Sequence, residues 1–268
     1  MKFTILTDLI SGHKKATLNF IQSLPLEMDI TINLVNIIEP SFGGDSLLLN
    51  LSDLFKNEAS ESLKNLGTEI SAMVPDHINV QTHCLVGTFK NKLILFLEEE
   101  PTDLLVMFGR TKSGIEKLLT QKKSLQILGR IQTPTLIIPA HFESLNFEKF
   151  GTAVHEKEQI TEESIQHIQE IVRFFHADAI VFHVDDLSED DLDYYEHNKE
   201  LNRIATQELA IVRDLDIHNG IETAIKEHNI DVLIGITHKK GWLENLMQGN
   251  TIATILINNE HPLLIISK

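Results

Sequence analysis

The feature that most constrains this chain is an internal repeat. Thr102-Asp103-Leu104-Leu105-Val106-Met107 reads like Ile230-Asp231-Val232-Leu233-Ile234-Gly235, 128 residues later. Glu116, Leu118 and Leu119 fall on Glu244, Leu246 and Met247 at the same offset, and Thr133-Pro134-Thr135-Leu136-Ile137-Ile138 falls on His261-Pro262-Leu263-Leu264-Ile265-Ile266. Near the front, Thr7-Asp8 matches Val154-His155 at an offset of 147, so the second copy is about 19 residues shorter in its middle. A chain built this way folds as two copies of one unit or not at all.

Each copy alternates apolar runs with helical spacing. In the first, Phe3–Thr7, Ile30–Ile38, Val80–Leu85, Leu104–Met107 and Thr135–Ile138 read as strands. Lys14–Leu24, Leu51–Met73, Lys90–Glu99 and Ile115–Leu128 read as helices between them. Leu104–Met107 is continuously apolar, the mark of a strand covered on both faces of a parallel sheet. The second copy repeats the order with strands at Gly151–Val154, Ala179–Val184, Glu208–Val212, Val232–Ile236 and Leu263–Ile266. Its helices fall at Glu163–Phe174, Leu192–Thr206, Gly220–His228 and Trp242–Leu256. The expected fold is α/β: two tandem five-stranded parallel-sheet domains, 1–141 and 149–268, with right-handed crossovers and Ala140–Glu148 as linker.

Composition narrows the function classes. The 268 residues carry 23 Lys+Arg against 39 Asp+Glu, a net charge of −16. The imbalance lies almost wholly after Phe142: Glu143–Lys268 has 24 acids and 10 Lys+Arg. Such a surface repels phosphate backbones, which argues against nucleic acid as a partner. The acidic run Asp185–Asp193 lacks the Gly and terminal Glu of a calcium loop and reads as solvated. One cysteine, Cys84, excludes a disulfide framework and a cysteine-rich zinc site, and its place in a strand suits a buried inert thiol. Of 13 histidines, nine lie from His155 onward, without an HExxH or a helical His-x3-His, so no metal site is expected. No G-x-S-x-G elbow occurs, and no catalytic residue is named. No apolar run nears the ~18 residues of a membrane span, and Asp8 interrupts the N-terminus too early for a signal sequence. A cytoplasmic protein without membrane contact is expected, with protein partners or further self-association left open.

The order of elements, the acid closing the first strand and the closing strands Thr133-Pro134-Thr135-Leu136-Ile137-Ile138-Pro139 and His261-Pro262-Leu263-Leu264-Ile265-Ile266-Ser267 resemble the universal stress protein family in its tandem form. The resemblance implies the adenine nucleotide alpha hydrolase-like fold, with the two last strands pairing antiparallel into a pseudo-dimer. It also implies ATP or ADP as the candidate cofactor. The family holds it with the strand-one Asp, here Asp8, and a loop G-x2-G-x9-G-[S/T] after the fourth strand, whose glycines let backbone approach ribose and phosphates.

The two copies depart from that loop. Aligned on Ser113-Gly114, the first two family glycines fall on Phe108 and Thr111; sliding by one recovers Gly109 but then gives Lys112. In the second copy Gly235 matches, His238 stands at the second glycine, and Lys239, Lys240 and Gly241 follow; the strand-one acid is His155. Asp8, Gly109, Lys112, Ser113, Gly114, Gly235, His238, Lys239 and Gly241 are therefore the candidate nucleotide or anion residues. Three functions follow as expectations: a stress-response or regulatory module with degenerate ATP sites, an ATP/ADP-binding module or slow ATPase with a relaxed loop, and a sensor of another small anion at the basic loops.

Overall fold

The computed structural model describes residues 1–9, 11–39, 47–109, 130–139, 142, 145–154, 160–185, 201–204, 210–213, 217–237 and 261–267. The strands are β1 (Lys2–Leu6), β2 (Thr31–Ile38), β3 (Asn79–Val86), β4 (Leu104–Gly109), β5 (Thr135–Pro139), β6 (Lys149–Val154), β7 (Asp178–Asp185), β8 (Ala210–Arg213), β9 (Val232–Thr237) and β10 (Leu263–Ser267). The described helices are α1 (Ser11–Gln22), α2 (Leu47–Met73), α3 (Phe89–Glu99), α4 (Glu162–Phe174), the short α5 (Leu201–Ile204) and α6 (Ile217–His228). The expected helices at 115–128 and 242–256, and most of that at 192–206, lie outside the described residues.

All ten strands form one sheet in the order β3-β2-β1-β4-β5-β10-β9-β6-β7-β8. Each half is parallel, and the halves join where β10 runs antiparallel to β5, Leu264 opposite Leu136. The sheet is thus the expected pair of five-stranded α/β units closed into a pseudo-dimer through their last strands. The expected elements within the described residues are present, with ends shifted by a few residues.

The offsets of the sequence repeat reappear as hydrogen bonds. Lys2 donates its amide to Asp103 Oδ2 at 2.7 Å, and Lys149 donates its amide to Asp231 Oδ2 at 2.9 Å. Leu105 N reaches Pro134 O at 2.9 Å, and Leu233 N reaches Pro262 O at 3.0 Å. These contacts tie the N-terminal ends of the first, fourth and fifth strands of each half.

Because side chains alternate across a strand, each strand feeds two cores. Phe3, Ile5, Val106 and Phe108 face α1, α2 and α4 in one continuous core that crosses both halves. On the other sheet face the cores are separate: Leu6, Val35 and Leu105 pack with Leu93 and Phe96 of α3, while Phe182 and Leu263 pack with Ile221, Ala224 and Ile225 of α6.

Part of the linker is buried. Leu145 and Phe147, inside the stretch read as a connection, are 8% and 6% exposed. Phe147 lies 5.9 Å from Phe20, 6.3 Å from Phe150 and 4.5 Å from Phe175 between ring centroids. An apolar pair in a short connector is drawn into the seam it crosses, since leaving it in water costs more than ordering it. Helix ends are satisfied locally. Thr161 accepts from Ser164 N at 3.2 Å at the start of α4, with Glu162 and Glu163 in its first turn and Arg173 in its last. In α3 the donor at Phe89 is met by Glu39 Oε1 at 2.5 Å, from the residue just after β2.

Candidate functional site

In each half the strand order reverses its direction of growth between the first and fourth strands, β1 and β4 or β6 and β9. Helices before and after that point lie on opposite faces, so the carboxyl ends of these two strands flank a crevice where ligands of open α/β sheets bind. In the first half this point brings together Asp8, His13, Phe108 and Gly109.

Local backbone bonds set the position of Asp8. Thr7 N donates to Val35 O at 3.0 Å, Asn36 Nδ2 donates to Thr7 O at 2.7 Å, and Leu9 N donates to Thr7 Oγ1 at 3.3 Å. Leu9 then turns with φ of 62°, a left-handed conformation uncommon for a side chain of this kind, and α1 starts at Ser11. This sharp strand-to-helix turn leaves the Asp8 side chain 24% exposed and swings His13 over it.

His13 Nδ1 lies 3.0 Å from Asp8 Oδ1. The approach lacks the alignment of a directed hydrogen bond, and Nε2 is equally without a hydrogen-bond partner among the described residues. The contact is best treated as a close electrostatic pair. His13 is 8% exposed, and its ring centroid stands 6.0 Å from that of Phe108, tilted by 60°. Phe108 is 2% exposed. Phe108 was singled out in the sequence. His13 was not; its signal was a histidine five residues after the strand-one acid.

Gly109 is the last residue of β4, paired with Pro139. Gly235 pairs with Ile265 as Met107 pairs with Ile137, so by strand register Gly235 is the counterpart of Met107. The counterpart of Phe108 is then Ile236, 7% exposed. Both halves therefore set a large buried side chain at that place. Lys112, Ser113 and Gly114, with His238, Lys239, Lys240 and Gly241, lie outside the described residues, as does His155.

A cavity of about 250 Å³ lies at the opposite edge of the sheet, between the halves, lined by Thr102, Asp103, Glu163, His167 and Glu170 among others. That edge carries the strands' amino ends, away from the crevices. Cys84, expected to be buried, is only partly so on the edge strand β3, its Sγ 4.0 Å from Lys56 O. Burial still pushes its thiol up, against the pull of Lys56. Next to it, burial pushes His83 below its ordinary value while Glu100 opposes, and its ring meets Phe96 edge-on at 4.9 Å. His176 is exposed and lies 3.5 Å from Glu27, one half to the other.

A sheet of two parallel halves, each with one such crevice, defines a tandem doubly wound α/β protein. No family model matches the chain. A universal stress protein of Methanocaldococcus jannaschii is 27% identical over 89 residues, 33% of this chain. The match spans 50% of that curated relative. The crystal structure of a universal stress protein from Archaeoglobus fulgidus aligns over 100% of this chain and 96% of its own, with a TM-score of 0.75 and 14% identity. A functionally unknown protein of Pseudomonas aeruginosa aligns over 99% and 92%, with a TM-score of 0.60 and 14% identity. The chain thus has the fold of the Archaeoglobus fulgidus universal stress protein, and part of it is similar in sequence to another universal stress protein. Among the described residues no helix is long and apolar enough to cross a membrane.

Proposed function

We propose that this is a cytoplasmic stress-response or regulatory module of two domains, 1–141 and 149–268, which acts through protein contacts and holds no ATP in its resting state. The observation that carries this reading is the meeting of His13 and Phe108, ring centroids 6.0 Å apart, across the first-half crevice. A side chain in place of a glycine there takes up room that a ribose and phosphates need. In the second half Ile236 stands at the equivalent register and His155 replaces the acid.

A second reading, a nucleotide-binding module or slow ATPase, is favoured by one feature: Asp8 keeps its place at the end of β1, where it would work with Ser113 and Gly114. Sensing of another small anion by Lys112, Lys239 and Lys240 is a third.

Native mass spectrometry of the purified chain, followed by thermal-shift titration with MgATP and ADP, separates these. The expected result is a bare mass and a flat titration. A retained nucleotide, or a melting temperature that climbs saturably by the equivalent of about 2.7 kcal/mol at a hundredfold excess over Kd, overturns the first reading.

A further inference from the structure

We infer that β3 is a docking edge for a second copy of this chain. Two β3 strands pair antiparallel about a two-fold axis beside His83 and carry the sheet from one molecule into the next. The inference is independent of whether either crevice holds a nucleotide.

The edge is open. Among the described residues β3 ends the ten-stranded sheet and pairs with β2 alone, from Asn79 beside Thr31 to Val86 beside Ile38. Asn79 donates its amide to Ile30 O at 3.2 Å, and Gly87 donates to Ile38 O at 3.0 Å. Backbone groups alternate sides along a strand, so Asn79, Gln81, His83 and Leu85 bond inward. Val80, Thr82, Cys84 and Val86 then turn their N–H and C=O groups away from β2. These four residues are half-buried.

The edge is also unguarded. Sheet edges are blunted by charge, proline, a bulge or shortness. Residues 79–86 contain no Asp, Glu, Lys, Arg or Pro, and their register with β2 has no bulge. The opposite edge, β8, has four residues and ends on Arg213, with Asp214 next in the chain. The side chains of β3 meet the chain's own helices: Cys84 Sγ lies 4.0 Å from Lys56 O of α2, and the His83 ring meets Phe96 of α3. What β3 offers a partner is its backbone, which pairs by geometry.

Charge selects a second copy and this edge. Of the 39 acids and 23 Lys+Arg, Glu143–Lys268 takes 24 and 10, which leaves 15 and 13 in the first half. Pairing through β3 joins the two nearly neutral halves. Five strands at ~4.8 Å then set each acidic half roughly 24 Å from the new seam, about three Debye lengths. Pairing through β8 would press the acidic halves together. The register that uses every outward group sets Val80 against Val86, and Thr82 against Cys84, of the second copy. It gives about eight backbone hydrogen bonds, inside the range of about 10 ± 5 for a stable interface. The contact is isologous and consumes both β3 edges, so assembly stops at two.

The test follows the full chain by sedimentation velocity over a wide concentration range, as wild type and Thr82→Pro. Wild type is expected to show a concentration-dependent monomer–dimer equilibrium and nothing larger. Thr82→Pro removes an outward N–H from each copy and spares the bonds to β2, so the dimer is expected to weaken at least about tenfold. Thr82→Cys sets a thiol opposite Cys84 of the second copy at the ~5.5 Å Cα separation of a hydrogen-bonded pair, within disulfide reach. Mild oxidation of that variant is expected to give a covalent dimer by mass, absent in wild type. If Thr82→Pro does not fold, this cross-link decides alone, since Thr82→Cys nearly conserves volume. A wild type that stays monomeric at every concentration overturns the inference. So does a dimer that Thr82→Pro leaves intact and oxidation of Thr82→Cys does not link.

Discussion

Thr4 and Thr102 share a hydrogen bond of 2.7 Å between their hydroxyls, and the second half has Gly151 and Ile230 in the same two places. The register makes the correspondence firm: Phe3 pairs with Leu104, and Phe150 with Val232. One half joins β1 to the approach of β4 with two medium polar side chains. The other fills the same volume with one large apolar side chain laid over a glycine, and a Cβ on Gly151 would run into the Ile230 side chain.

Gly151→Thr is therefore expected to overpack its site and cost about 1–3 kcal/mol in urea unfolding. Adding Ile230→Thr is expected to recover much of that loss by recreating the hydroxyl pair, with a coupling on the order of 0.5–3 kcal/mol. Strictly additive effects of the two substitutions would mean that the pairs are not equivalent.

Phe147→Ala removes the ring that bridges Phe20 and Phe175 at the seam. A loss of about 3–5 kcal/mol is expected, as for other buried aromatic truncations. Because the core on that face is shared, the urea transition should also broaden, with a lower m-value. An unchanged midpoint and slope would show that the seam does not couple the halves.

His83 has its folded-state value lowered, first by burial and against the effect of Glu100. The unfolded chain then binds more protons than the folded one below the ordinary histidine value of about 6.5, so stability rises with pH in that range. Its contribution is present above that value and is lost as the pH falls through it toward the folded-state value. Unfolding free energies measured across about pH 5–7 should fall toward the acid side, and less steeply in His83→Gln. Identical slopes in both proteins would remove His83 as a source of acid sensitivity.

Cys84 has a thiol pushed up by burial. Since the thiolate is the reacting species, alkylation by iodoacetamide near neutral pH should run slower than for a free thiol and speed up in urea. Equal rates in folded and unfolded protein would contradict the packing found around β3.

Much of the fold was legible because its strands are covered on both faces, and such strands read as unbroken apolar runs. Leu104-Leu105-Val106 is one, buried throughout. The antiparallel seam was legible only through family resemblance, since nothing in Leu136 or Leu264 specifies its neighbour. The burial of Phe147 was not legible, because a connector's side chains enter a core only when tertiary structure brings the core to them. At the site, Asp8 and Phe108 could be singled out along the chain. His13 could not, because its role depends on the left-handed turn at Leu9, which returns the helix over the strand end. The correspondence of Gly235 with Met107, given by the 128-residue offset, reappears in their pairing with Ile265 and Ile137.

The seam between β5 and β10 has a consequence in mass action. A dimer of separate subunits falls apart on dilution, whereas a seam inside one chain has a fixed effective concentration. In a symmetric dimer every substitution is also made twice, once on each side of the axis. Joined in one chain, each side changes alone, which is how a hydroxyl pair on one side coexists with a glycine and an isoleucine on the other. By the same freedom, the sequence has Asp8 in one copy and His155 at the matching position of the other.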